Sequence, residues 1–101
     1  MIYITQLIYC IEGQERVFDE FEDIALPILQ QYNGRLLFRL RPKADSFIEL
    51  HIEQPYEIHF IEFDTEQDFE NFKLDPGRQQ FLHRKEQSIR TSMLIQGTRI
   101  Q

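Results

Sequence analysis

The chain has 101 residues, the size of a single domain and enough to bury about two-thirds of the unfolded surface. Its net charge of -6 repels phosphate backbones and anionic membranes, and no apolar run approaches the ~20 residues of a membrane span. Hydrophobic residues make up 42%, with nine phenylalanines and no tryptophan, so the core is expected to be phenylalanine packed on Leu and Ile.

The first element, Ile2 to about Ile11, reads as a strand because β-branched and aromatic residues crowd a run too short for a helix. Glu12-Gly13 turns the chain into a long helix in which Val17, Phe21, Ile24, Ile28 and Tyr32 recur at helical spacing, with Phe18, Ala25 and Leu29 widening the stripe. The acidic run Glu15, Asp19, Glu20, Glu22 and Asp23 reads as that helix's solvated face. Pro27 is expected to kink or divide the helix, and Asn33-Gly34 to stop it, with Gly taking the left-handed conformation.

Arg35 to Arg41 is a second strand, with Leu36, Phe38 and Leu40 on one face and Arg35, Leu37, Arg39 and Arg41 on the other. Ser46 to Glu53 alternates again and reads as a short extra strand at a sheet edge. Tyr56 to Phe63 is the third main strand. Thr65 and Asp68 form the start signal of a short helix carrying Phe69 and Phe72, and Asp75-Pro76 restarts a helix whose stripe continues through Phe81, Leu82, Lys85 and Ile89. Thr91 to Thr98 is the last strand, with Gly97 marking a bulge or its end. Strand then helix, twice, is the βαββαβ plan of an α+β, ferredoxin-like domain spanning residues 1–101: a four-stranded antiparallel sheet with helices on one face.

RNA-recognition domains share this plan. Ile2 to Leu7 resembles their first-strand signature, and Phe60-Ile61-Glu62-Phe63 matches the second half of their third-strand signature. The first half fails: Tyr56 and Glu57 stand where a basic residue and Gly belong, and Ile58 replaces a stacking aromatic. With Glu57 among the phosphates and no compensating basic patch, no nucleic acid is expected as partner.

A second resemblance covers nearly the whole chain. The long first helix, Asn33-Gly34-Arg35 with Arg39 four residues on, Pro55, Phe60-Ile61-Glu62-Phe63, the phenylalanine-bearing helix, Asp75-Pro76 and Leu94-Ile95-Gln96-Gly97 together resemble the dimeric α/β-barrel superfamily. Within it the chain is closest to small proteins of unknown function whose strands read Gly-Arg-aromatic-x-x-Arg and Ile-Glu-Phe. The resemblance implies a homodimer joined sheet face to sheet face, and a small pocket between sheet and helices. Some relatives use that pocket for cofactor-free oxygenation, isomerisation or haem degradation. The haem-degrading relatives rely on a tryptophan, absent here, so no cofactor is expected.

The residues themselves offer a polar group. Arg39 and Arg41 share one face of strand two, and Glu57 and His59 share one face of strand three. With 41 opposite 57 and 39 opposite 59, all four come within cross-strand reach. They could hold an anionic or carbonyl-bearing metabolite with His59 as acid or base, or they could satisfy one another as an ion-pair network. Alternation does not decide which sheet face carries them, because Ile61 and Phe63 on their face and Ile58 and Phe60 on the other are both apolar. A sheet apolar on both faces calls for helices on one and a partner subunit on the other.

Other candidates are weaker. Cys10 has no His near it in sequence and reads as a small buried hydrophobe, while Tyr3 and Tyr9 share a strand-one face and read as packing. His51, His59 and His83 lack metal-ligand spacing, so no metal is expected. With no disulfide possible within the chain and no secretory signal visible, a cytoplasmic location is expected. Two functions follow: a homodimeric α/β barrel with a small-molecule pocket, with cofactor-independent monooxygenase- or isomerase-like chemistry, or a non-catalytic dimeric binding or assembly module.

Overall fold

A computed structural model of the chain describes residues 1–100. The elements run β1 (Ile2–Cys10), α1 (Glu15–Ile28), a 3₁₀ turn (Leu29–Tyr32), β2 (Gly34–Leu40), β3 (Glu57–Phe63), α2 (Glu66–Lys73), α3 (Pro76–Gln80), α4 (Leu82–Ser88) and β4 (Ile89–Gly97). The sheet is four-stranded and antiparallel in the order β2-β3-β1-β4. Ile2 and Ile4 of β1, Ile61 and Phe63 of β3, Ile28 and Leu29, and Phe69 and Phe72 of α2 form one buried cluster, so the helices cover a single face. The slab measures 38 × 36 × 17 Å, the thin axis being one sheet and one helical layer. Among the described residues, no helix is long and apolar enough to cross a membrane.

Local chemistry sets the boundaries. Pro27 lies in the last turn of α1, and the chain tightens there into the 3₁₀ turn, the expected division. The residue in the left-handed conformation is Asn33, with φ of 55°, rather than Gly34. Gly34 is required for another reason: it is buried in β2, where a Cβ would stand 2.6 Å from Cε1 of Phe63. Thr65 Oγ1 accepts from the Asp68 backbone N–H at 3.1 Å and opens α2, and Asp75 Oδ1 accepts from Arg78 N–H at 2.9 Å and opens α3.

Three expectations about strands change. The alternation of β2 is interrupted by a bulge: Leu36 pairs with Ile61, Phe38 pairs with Phe60, and Leu37 is the extra residue. One inserted residue exchanges the faces, so Arg35 sits with Glu62 on the open face while Arg39 sits with His59 on the helix face. The segment Ser46 to Glu53 is not a strand. It follows a 3₁₀ turn at Ala44–Ser46, and its far end is tied by Tyr9 Oη donating to the Glu53 carbonyl at 2.8 Å. It forms no ladder with either open edge of the sheet, β2 or β4, and Ile48 is left fully exposed. Finally, β4 starts at Ile89, which leaves the helical stripe, and ends at Gly97.

The open face is apolar across all four strands. Tyr3 stacks on Phe60, with ring centroids 5.7 Å apart, and Phe38 leans on the same ring at 5.4 Å. Phe38, Leu40, Met93 and Ile95 remain 42 to 50% exposed, so none of the described residues covers them.

Candidate functional site

The bulge in β2 brings the four candidate residues together on the helix face. Arg39 is in register with His59. Glu57 is fully buried: Arg39 Nε donates to its Oε2 at 2.8 Å and Arg41 Nε to its Oε1 at 2.7 Å. His59 Nε2 shares Oε2 of Glu57. Asp19 of α1 closes the group, accepting from Arg41 Nη2 and facing Arg39 Nη2 at 3.5 Å. Arg41 also lies over the Tyr56 ring, 4.9 Å from its centroid.

Burial alone would push the Glu57 carboxyl up, but hydrogen bonds from His59, Arg39 and Arg41 reverse this and hold it at about 2. Glu57 is therefore an acceptor-only carboxylate at neutral pH. The tautomer of His59 follows from that network: Nε2 must carry the proton it gives to Glu57, which leaves Nδ1 of the neutral ring as the basic nitrogen. Phe18 stacks on the imidazole with centroids 6.5 Å apart and helps fix its plane.

Beside His59, between sheet and helices, lies a cavity of about 40 Å³ whose polar lining is Gln6, Glu22, His59, Arg78 and Lys85. Glu22 is 6% exposed, and burial raises its carboxyl above the ordinary range. Among the described residues it accepts no hydrogen bond, and neither Arg78 nor Lys85 joins an ion pair. Arg78 Nη1 donates to the Lys73 carbonyl at 3.2 Å, while its Nε is buried without a partner. Burial lowers the pKa of both cations.

Glu22 corrects the reading of the acidic run as solvated. The buried face of α1 runs through Phe18, Phe21, Glu22, Ala25 and Ile28, and Glu22 lies four residues after Phe18 and three before Ala25, inside the stripe. That spacing was the available signal, as was Lys85 in one stripe with Phe81, Leu82 and Ile89. Gln6 and Arg78 carried none. Asp19 is half-buried and ion-paired rather than solvated. Cys10 is half-buried, and burial, then Glu15, push its thiol up to about 11, which keeps it protonated. A larger depression of about 440 Å³ lies on the open face, lined by Tyr3, Thr5, Phe60, Ile95 and Arg99 among others. It lacks any carboxylate or imidazole.

No protein-family model matches the chain, and no curated protein matches it in sequence. Solved structures do match in shape. A protein of unknown function from Rhodopseudomonas palustris superposes with a TM-score of 0.83 at 12% identity, over 99% of this chain and 82% of that one. An uncharacterized NIPSNAP domain protein from Burkholderia xenovorans gives 0.70 at 15% identity, over 99% and 95%. A DABB family protein with a ferredoxin-like fold from Mesorhizobium loti gives 0.70 at 13% identity, over 99% and 97%. At these identities the likeness is one of fold, and the chain has a ferredoxin-like fold.

Proposed function

We propose that this chain is a single-domain, homodimeric, cytoplasmic α/β-barrel protein that binds a small anionic or carbonyl-bearing metabolite in the cavity beside His59. The chemistry is proton abstraction next to a carbonyl, the step that begins both isomerisation and cofactor-free oxygenation. Nδ1 of His59 takes the proton from carbon, the electron pair moves onto the carbonyl oxygen, and the Glu22 carboxyl, whose protonated form burial favours, donates a hydrogen bond to that oxygen. Glu57 fixes the imidazole and stabilises the imidazolium, while Arg39 and Arg41 keep Glu57 ionised. They act through Glu57, and the ligand contacts fall to His59 and Glu22. The observation that carries this reading is the pairing of a carboxylate-oriented His59 with a buried carboxyl, Glu22, across one polar cavity.

The test is hydrogen–deuterium exchange at carbon. A panel of small aldehydes, ketones and carboxylates incubated in D₂O with the parent protein should show catalysed exchange for at least one member, lost in His59→Gln. Exchange that is absent, or unchanged in His59→Gln, would remove the catalytic reading. The alternative is a non-catalytic dimeric binding or assembly module, favoured by one observation: Arg39, Arg41, Glu57 and Asp19 satisfy one another and lace β2, β3 and α1 together. The two are compatible, since Nε2 of His59 is committed to Glu57 while its Nδ1 has no partner among the described residues.

The homodimer rests on the open face. Its apolar residues cross every strand and stay half exposed in the monomer, and a second copy applied face to face is the self-complementary solution.

A further inference from the structure

The two arginines that the sequence offers as anion ligands are committed elsewhere. Arg39 and Arg41 spend their Nε donors on Glu57 and turn Nη2 toward Asp19. On the cavity lining, the two cations without a carboxylate partner among the described residues are Arg78 and Lys85, contributed by α3 and α4. Arg78 stacks over Phe72 at 5.2 Å and Phe21 at 5.9 Å, which holds its guanidinium plane while its Nε stays buried without an acceptor. A buried donor without an acceptor is costly, and a guanidinium so placed presents a planar fork suited to a carboxylate.

The cavity also limits size. One water needs roughly 10–15 Å³ of such space, so about 40 Å³ admits a group of about three or four heavy atoms. The geometry points to a small carboxylate as the ligand of this cavity, anchored on Arg78 with Lys85 beside it, so that the carbon next to the carboxylate lies between Glu22 and His59. This rests on the pocket reading above and names its ligand class. Neither cation joins an ion pair among the described residues, and a bound monoanion gives them one.

Acetate and its neutral isostere acetamide are the probes, titrated separately while the ring resonances of His59 are followed by NMR and assigned with His59→Gln. Acetate should shift the His59 signals and acetamide should bind more weakly. Arg78→Gln should lower acetate affinity by about tenfold or more, the loss of one charge-assisted pair, and Arg78→Lys should restore part of it. Equal acetate affinity in parent and Arg78→Gln, or acetamide binding as tightly as acetate, would overturn the anchor and leave the pocket standing. If neither probe moves His59, the pocket reading fails with it. Should Arg78→Gln not fold, the acetate and acetamide comparison on the parent protein decides alone.

Discussion

Arg39 Nε and Glu57 Oε2 are joined at 2.8 Å, and the carboxylate they share with His59 and Arg41 has no exposed surface. Because three donors converge on one buried acceptor, losing the acceptor strands more groups than losing any donor. Arg39→Ala leaves Glu57 with Arg41 and His59, so the expected loss is about 2 kcal/mol, the size of one hydrogen bond to a charge. Glu57→Ala strands the buried imidazole and frees both guanidinium groups, and should cost about 3–5 kcal/mol. Urea denaturation of both variants beside the parent checks the order. A larger loss in Arg39→Ala than in Glu57→Ala would contradict the description of Glu57 as the hub.

The same carboxylate gives stability a sign against pH. Its folded pKa of about 2 lies below the unfolded 4.5, so the contribution is present above 4.5 and is lost as pH falls from there toward 2. The parent should lose on the order of 3 kcal/mol relative to Glu57→Gln across that window. Denaturation midpoints at pH 6, 4 and 3 for both proteins measure it. Parallel curves would show that Glu57 is not held ionised.

Glu22 has the opposite sign. Its folded pKa is raised by burial, so the protonated form is favoured in the folded state and stability is lost as pH rises through that raised value. Glu22→Gln, which keeps the neutral shape, should be more stable than the parent at high pH and indistinguishable from it below the ordinary glutamate range. A Glu22→Gln protein less stable than the parent at pH 7 to 8 would mean that Arg78 and Lys85 compensate the ionised carboxylate.

Gly34→Ala tests the packing that seats β2. The added methyl would stand 2.6 Å from Cε1 and 3.0 Å from Cδ1 of Phe63 and 3.1 Å from the Leu29 carbonyl oxygen. Phe63 is held by Phe69 and Phe72 at 5.3 and 5.6 Å, so it has little room to retreat. A loss of about 1–3 kcal/mol is expected, with thermal unfolding as the readout. No change would mean that Phe63 relocates freely.

Light scattering at micromolar concentration should give about twice the monomer mass of 12.3 kDa. Phe38→Asp and Ile95→Asp together, on the exposed face, should yield monomer while leaving secondary structure intact by circular dichroism. Monomer mass for the parent protein would remove the dimer.

Elements with strong local signals were legible in the sequence. Strand composition, the Thr65 and Asp75 caps, Pro27 and the alternation of β3 act within a few residues, and each fixed its element wherever the chain later packed. Strand alternation also grouped Arg39, Arg41, Glu57 and His59, because β parity is a local property. What decided the site was not local. The bulge at Leu37 arises from pairing β2 with β3, and it puts Arg35 and Arg39 on opposite faces although their spacing places them together. The segment 46–53 has a strand's pattern, but a strand exists only where it pairs with a neighbour, and this segment pairs with neither open edge of the sheet. Glu22 became a cavity residue because α1 lies on the sheet along Phe18, Phe21 and Ala25. Arg78 and Lys85 reach the same cavity from α3 and α4, through contacts between segments more than fifty residues apart in the chain. Side-chain periodicity is set by neighbouring dihedral angles, whereas the partner of a buried charge is set by which surfaces meet, and only the tertiary structure determines that.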